Sequence, residues 1–508
     1  MTKLEPPTKY RGIKIWVDEA IWGHRLYNDQ TPWLVFLEFL SVFRSRSQVG
    51  YGLKEFREEG AHENFSYDIP RLIPLRELVF NNPHVQHIDD SEKPSSEKWD
   101  AWLAQFNKEQ NFSFLKDRFG DFSEIARVIE LFQSTAVEPH RQRRWTSRFL
   151  FPYGPYCLYA DLPNTPTGSP DRRFFARGGE LLYLMLSRSG SGPEIAELIS
   201  NKLLREEDTW NRLAKAMLPN DHRIDANSVS GGIGYLPYAE RDEYKQLAHT
   251  WRQLLSLDLP SNAVLDPLVR LSALHMLLYM LRRAGEETGQ QKEPKFVLEI
   301  AAPKKTTLFE ISAENLHANR MLSSRAVRAY VDSARDDPCW QKALEARAPA
   351  EAVRDYLTER FLWDPEDGPA GGDPDAILES LRTYAETRHG QHVAKVHLEW
   401  TRQIGMSVSR RGVGVWYAPN DSLIKALVMC TVEGEREEYH RFLANLYERF
   451  RIIVAAPEAE KAYGYLPTDQ YAFTQNAQRL EQRLRTLGLL RRLSDDCAYV
   501  ENPFRRRV

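Results

Sequence analysis

The sequence predicts a mainly α, multi-domain helical protein with minor β structure and a helix-and-hairpin module at its C-terminal end. Three observations carry that expectation. Apolar residues recur at helical spacing along most of the 508-residue chain. Strand-like runs are few and short, Lys295–Ile300 (KFVLEI) being the clearest in the middle of the chain. Trp363–Pro374 (WDPEDGPAGGDP) has the Pro, Gly and Asp content of a linker, and a helix-then-hairpin order follows it. The expected division is an N-terminal helix-rich domain (1–190), a central helical domain with a short strand (191–362), the linker (363–374), a helical and hairpin module (375–419) and a terminal module (420–508).

Composition narrows the class. Hydrophobic residues make up 42% and charged residues 27%, the balance of a globular protein with ample core material, and the net charge of -3 requires any nucleic-acid surface to be local. Cys157, Cys339, Cys430 and Cys497 are far apart with no CxxC pair, which argues against a structural zinc site. With no signal-peptide pattern, that cysteine usage fits a reducing cytoplasm. The most apolar run, Leu268–Leu281, is expected to be too short for a bilayer. It reads as a buried helix starting at Asp266-Pro267 and ending before Gly285, with no membrane partner.

In chain order, Gly12–Val17 (GIKIWV) reads as a short strand, and Thr31 followed by Pro32 opens the apolar helix WLVFLEFLSVF. Residues 84–100 are polar and read as an exposed loop, with helical patterns resuming over Phe112–Phe132. His140–Tyr156 and Asp171–Gly190 interleave arginine with aromatics. Such stretches hold phosphates and stack bases, or pack Arg stems and rings between a helix and a loop; packing is the expectation. Gly178-Gly179 lets an anion approach amide groups, without the Lys-Ser/Thr of a phosphate loop, and Ser230–Gly234 reads as a surface turn. A helical block spans Glu194–Arg283, and Ser323–Val331 is a further basic helical piece of structural character.

Catalytic signatures are missing. No nucleophile elbow, HExxH, P-loop, dinucleotide fingerprint or kinase set occurs. Glu299 invites comparison with restriction-type nucleases, but Ala301 stands where the E-x-K lysine belongs; the expectation is a strand end with one exposed carboxylate. His389, His392 and His397 lie close in sequence but lack an acidic partner, so exposed helix histidines are expected and no metal or cofactor.

After the linker, Ala376–Ala385 and Gln391–Gln403 read as helices and Met406–Arg410 with Val413–Tyr417 as a hairpin turning near Arg411-Gly412. Asn420 or Asp421 caps the next helix, Glu435–Phe450 forms another, and 451–473 connects to the last. That helix is expected to start at Thr474 and end at Gly488, with Ala477, Leu480, Leu484 and Leu487 on its inner face. Gln475, Gln478, Arg479, Gln482, Arg485 and Thr486 lie opposite, and a hairpin follows over Leu489–Leu493 and Cys497–Val500. From Thr474 onward there are eight basic and four acidic residues, a net +4 in a chain of net -3.

A helix with that outer face followed by a small hairpin resembles the recognition helix and wing of winged-helix DNA-binding domains. The resemblance covers residues 420–508 and implies double-stranded DNA as partner. Gln475, Gln478, Arg479, Gln482, Arg483 and Arg485 on the helix, with Arg491 and Arg492 on the wing, are then the candidate contacts: arginine to guanine edges or phosphates, glutamine to adenine edges. The earlier helix, glycine and basic hairpin make a tandem pair of winged helices a candidate arrangement. The function expected is a non-enzymatic DNA-binding accessory protein that contacts other protein subunits in a multi-protein complex. The alternatives are a scaffold or adaptor whose winged helix packs on protein, and an enzyme with a scattered active site. A large helix-rich chain with a terminal winged helix and no catalytic signature also resembles accessory proteins of bacterial anti-phage (antiviral) defence systems.

Overall fold

The computed structural model describes residues 17–505, apart from 55–65, 71–72, 107–110, 138–148, 161–175, 220–227, 232–234, 290–292, 301–305, 364–371 and 495–496 and single positions 81, 83 and 136. Helix makes up 64% and strand 7% of the described residues, so the protein is mainly α. The expected strand at 12–17 and most of the linker lie outside the described residues, except that Val17 opens the Val17–Trp22 helix.

The core is built around the 27-residue helix Ser261–Glu287, which is apolar on nearly every side and therefore buried. Trp22 donates its indole N–H to the Met280 carbonyl (3.1 Å), and the Tyr279 hydroxyl donates back to the Trp22 carbonyl (3.0 Å). The expected limits were too narrow, because Pro267 and Gly285 both lie inside the helix. Pro267 forfeits a helix hydrogen bond, but burial of Leu265, Leu268 and Leu271 around it outweighs that loss. The helix is long and apolar enough to cross a bilayer, correcting the length expectation, yet 89% of its apolar window is buried inside the protein.

Pro32–Gln48 begins as its cap predicts, with Thr31 Oγ1 accepting from Leu34 N at 3.3 Å. It packs against Gly178–Ser187, whose N-terminal amides receive an internal anion. Arg177 N and Gly179 N donate to the two Glu38 carboxylate oxygens at 2.9 and 2.8 Å. A Cβ on Gly179 would sit 2.4 Å from Phe39 N, so only glycine allows this approach. Burial nonetheless pushes the Glu38 carboxyl up to about 7, against those hydrogen bonds.

Residues 84–100 hold the helices Val85–Asp89 and the start of Ser95–Leu103 where a loop was expected. Their burial is carried by Val85, Ile88, Trp99 and Trp102, and the two tryptophans pack edge-on with Phe122. Of the five residues read as a turn at 230–234, the last three lie outside the described residues. Ser230 and Gly231 belong to a strand, β2 (Ser228–Gly231), paired antiparallel with β1 (Tyr67–Pro70).

The expected segment boundaries do not interrupt the core: one contiguous cluster of buried apolar side chains runs from Val17 to Val500. Strand β3 (Phe296–Val297) pairs parallel with β7 (Ile452–Ile453). Across the linker, the Pro374–Gln391 helix packs on Thr307–Asp332, with Arg328–Glu386 at 2.6 Å and Arg382–Asp332 at 3.2 Å. Val393–Gln403 follows, then the antiparallel hairpin β4 (Ser407–Arg410) and β5 (Gly414–Tyr417), at the expected place.

The terminal segment runs helix Asp421–Thr431, strand β6 (Arg436–Glu438), helix Tyr439–Phe450, β7, helix Ala456–Tyr463, helix Gln470–Thr486, β8 (Leu490–Arg492) and β9 (Ala498–Glu501). Its sheet has the order β6-β9-β8, so the strand between the first two helices lies beside the last strand of the hairpin. Asn502 Nδ2 fastens the sheet to the first helix by donating to the Met429 and Val432 carbonyls, at 3.1 and 3.0 Å.

Candidate nucleic-acid interface

The Gln470–Thr486 helix begins four residues before the expected Thr474. Asp469 is its cap, with Oδ1 accepting from Ala472 N at 2.7 Å. Thr474 lies inside the helix and donates its hydroxyl to the Gln470 carbonyl at 2.9 Å. Gly488, at φ +71°, ends the helix, while Leu489 N donates to the Leu484 carbonyl at 2.8 Å and Gly488 N to Arg485 at 3.1 Å.

Phe473, Asn476, Leu480 and Leu484 are the buried face, with Ala477 and Leu487 half-buried beside it. Asn476 Nδ2 donates to the Leu298 and Val454 carbonyls, both at 2.9 Å, and its Oδ1 accepts from Ile300 N at 2.8 Å. Helical periodicity identified the leucines but not this asparagine, which meets its partners only across the fold. The opposite stripe, Tyr471, Thr474, Gln478, Gln482 and Arg485, is exposed to solvent.

The eight candidate contacts separate into three groups. Gln478, Gln482, Arg485 and Arg491 are exposed, and among the described residues no carboxylate lies within ion-pair distance of either arginine. Gln475 is half-buried and donates to the Gln478 side-chain oxygen at 3.1 Å. Arg479 is also half-buried and attracts Glu299 rather than lying clear on the outer face. Arg483 and Arg492 are engaged. Arg483 donates to Asp421 Oδ1 at 2.7 Å and to the Pro419 carbonyl at 2.8 Å; Arg492 pairs with Glu481 at 3.2 Å and donates to the Ser494 carbonyl. Arg505 turns away towards the Asp242–Leu255 helix, donating to the Gln253 carbonyl at 3.3 Å. The described arginines of the terminal segment are therefore spread over more than one face.

Glu299 is 3% exposed rather than an exposed strand end. It accepts from the Trp416 indole at 3.1 Å and from Thr306 Oγ1 at 3.4 Å. Burial raises its carboxyl above the usual range, against the Trp416 hydrogen bond and the Arg479 charge.

The three histidines diverge instead of converging on a metal or facing solvent. His389 lies between Asp18 Oδ1 (2.9 Å) and Ser323 Oγ (3.1 Å), His392 faces Asn28, and His397 faces the Tyr417 hydroxyl at 2.7 Å. Among the described residues no group of three His, Cys, Asp or Glu side chains is arranged to hold a metal ion. Asp18–His389–Ser323 has the bonding order of a nucleophilic triad. Ser323, however, is in the interior of the Thr307–Asp332 helix, where the surrounding amides are committed to the helix ladder and supply no oxyanion hole. The cluster is an internal bolt between three helices, and His389 stacks on Trp22 at 5.6 Å.

No protein-family model matches this chain, and no curated protein matches it.

Proposed function

We propose that residues 420–508 are a winged helix and that the chain is a non-enzymatic DNA-binding subunit of a protein complex. The observation that carries this reading is the helix–strand–helix–strand–helix–helix–hairpin order, with β6, β9 and β8 closing one sheet and β7 paired to β3 outside it, which leaves one long helix with a bare polar stripe beside a hairpin. Gln478 and Gln482 offer the paired donor and acceptor that adenine edges match, and Arg485 the fork that guanine matches. Arg491 on the wing serves a phosphate. Titration of a duplex library with the full chain and with Gln482→Ala/Arg485→Ala tests it. Weaker and less selective binding by the variant is expected; no duplex binding by the unaltered chain at low salt would remove the reading.

A second reading, protein docking by the same face, draws on Tyr471 (70% exposed), Tyr465 (64%) and Leu493 (54%) around this helix and hairpin. Unchanged duplex affinity in that variant, together with loss of a purified partner subunit, would favour it.

A further inference from the structure

The Ser407–Tyr417 hairpin has a rigid root and a bare tip. At the root, Tyr417 is buried: its hydroxyl meets His397 Nε2 at 2.7 Å and accepts from Asn319 Nδ2 at 3.0 Å, while its backbone N–H donates to Ser312 Oγ at 3.0 Å. Gly405 sets the entry angle at φ +79°, where a Cβ would collide with the Asn420 side chain. Beyond the root, every residue from Val408 to Gly414 is exposed on both strands. β4 and β5 form a sheet of two strands, an arrangement with little stability of its own, so the projecting ribbon contributes little to the core. Between Gly405 and Asn420 the only charged residues are Arg410 and Arg411, at the turn. Among the described residues, neither has a carboxylate within ion-pair distance.

The root is joined to the flank of the Gln470–Thr486 helix at two points. Glu299 accepts from Trp416 on β5 and attracts Arg479 on the helix. Arg483, one turn further on, donates to the Pro419 carbonyl and to Asp421 just after β5. Five extended residues carry the tip about 17 Å from Tyr417, well within the roughly 34 Å of one duplex turn.

We infer that this hairpin is a second wing: Arg410 and Arg411 bind backbone phosphates of the same duplex that the Gln470–Thr486 helix engages. The inference rests on the DNA-binding reading above and adds a second, sequence-independent contact beside the helix. Two unpaired guanidinium groups on an acid-free ribbon complement a line of phosphates, and the fixed root anchors the ribbon that carries them. The protein then covers a longer footprint than residues 420–508 could alone.

The test uses the full chain on a duplex of 30 base pairs or so, the scale of a multi-turn site, comparing the unaltered protein, Arg410→Ala/Arg411→Ala and Arg485→Ala. The hairpin variant is expected to bind more weakly, with a log–log salt slope shallower by about two units. Its hydroxyl-radical footprint should lose protection on one flank, and its preference among sequences should be unchanged. Its melting temperature should match the parent, since the tip has no packing role, and Arg410→Glu/Arg411→Glu should deepen the loss. If the hairpin variant keeps the parental slope and footprint while Arg485→Ala weakens binding, the second wing is overturned and the first reading stands. If the unaltered protein binds no duplex, both fall together.

Discussion

The side-chain amide of Asn476 donates to the Leu298 carbonyl at 2.9 Å, joining positions 178 residues apart. With its bonds to Val454 and Ile300, it holds the inner face of the terminal helix against the β3–β7 pair. Asn476→Ala would leave two buried carbonyls and one buried N–H without partners. A loss of roughly 3 kcal/mol or more is expected in urea denaturation, from about 1–3 kcal/mol per orphaned group. A change below about 1 kcal/mol, the size of a single average hydrogen bond, would mean that the helix is held by its apolar face alone.

Arg483 and Arg485 are two residues apart and are expected to respond oppositely. Arg483→Ala removes the tie to Asp421 and Pro419 and should cost about 1 kcal/mol of stability, the pair being partly exposed. Arg485→Ala should change stability by no more than about 0.5 kcal/mol, but weaken specific duplex binding by about 1–3 kcal/mol if it reads a base. Equal effects on both measurements for both variants would show that the two arginines are not divided in this way.

Two buried histidines contribute stability that acid removes. Burial, aided by the Arg449 and Arg282 charges, lowers His275 from 6.5 to about 3, and burial with Arg320 lowers His397 to about 4. Below the unfolded value of 6.5 these positions bind protons in the unfolded chain that they refuse in the folded one, so their contribution to stability falls as pH drops from 6.5 towards 4. The raised Glu38 carboxyl, at about 7, acts in the opposite sense over the same window, so the histidine contribution is read as a difference: as pH falls from 7 to 5, the urea midpoint of His397→Gln should rise relative to that of the parent. A midpoint difference between the two proteins that stays constant over this range would contradict the assignment.

Protease is expected to cut first within 364–371, a Pro-, Gly- and Asp-rich stretch. The products should nevertheless co-elute from a sizing column under native conditions, because β3–β7 pairing and the Arg328–Glu386 pair cross the cut. A free, folded fragment beginning near Pro374 would show instead that the shared core is dispensable to it.

Glu299→Gln should alter neither DNA nor nucleotide turnover, since the carboxylate is buried against Trp416 and Thr306 and has no metal-ligand neighbours among the described residues. Magnesium-dependent cleavage by the native chain that vanished in this variant would restore the nuclease reading.

The sequence by itself determined the features that depend on a few neighbouring residues. Thr31-Pro32 starts a helix, Gly488 ends one, the turn at Arg411-Gly412 closes a hairpin, and Leu480 and Leu484 mark an inward face. Even the early start of the terminal helix had a local signal, the capping Asp469 three residues before Ala472. Whether the proposed DNA face carries arginine or lacks it was only half legible: periodicity can say that a side chain leaves the leucine face, but not what waits there. Arg479 meets Glu299 and Arg483 meets Asp421, partners supplied by segments 180 and 62 positions away. Glu299 is buried by Trp416, and Pro267 is carried inside a helix by the surrounding core. These were decided by the tertiary structure alone, because burial and ion pairing are free energies of surfaces brought together by the whole fold, whereas caps, turns and helical spacing act within a single turn of chain.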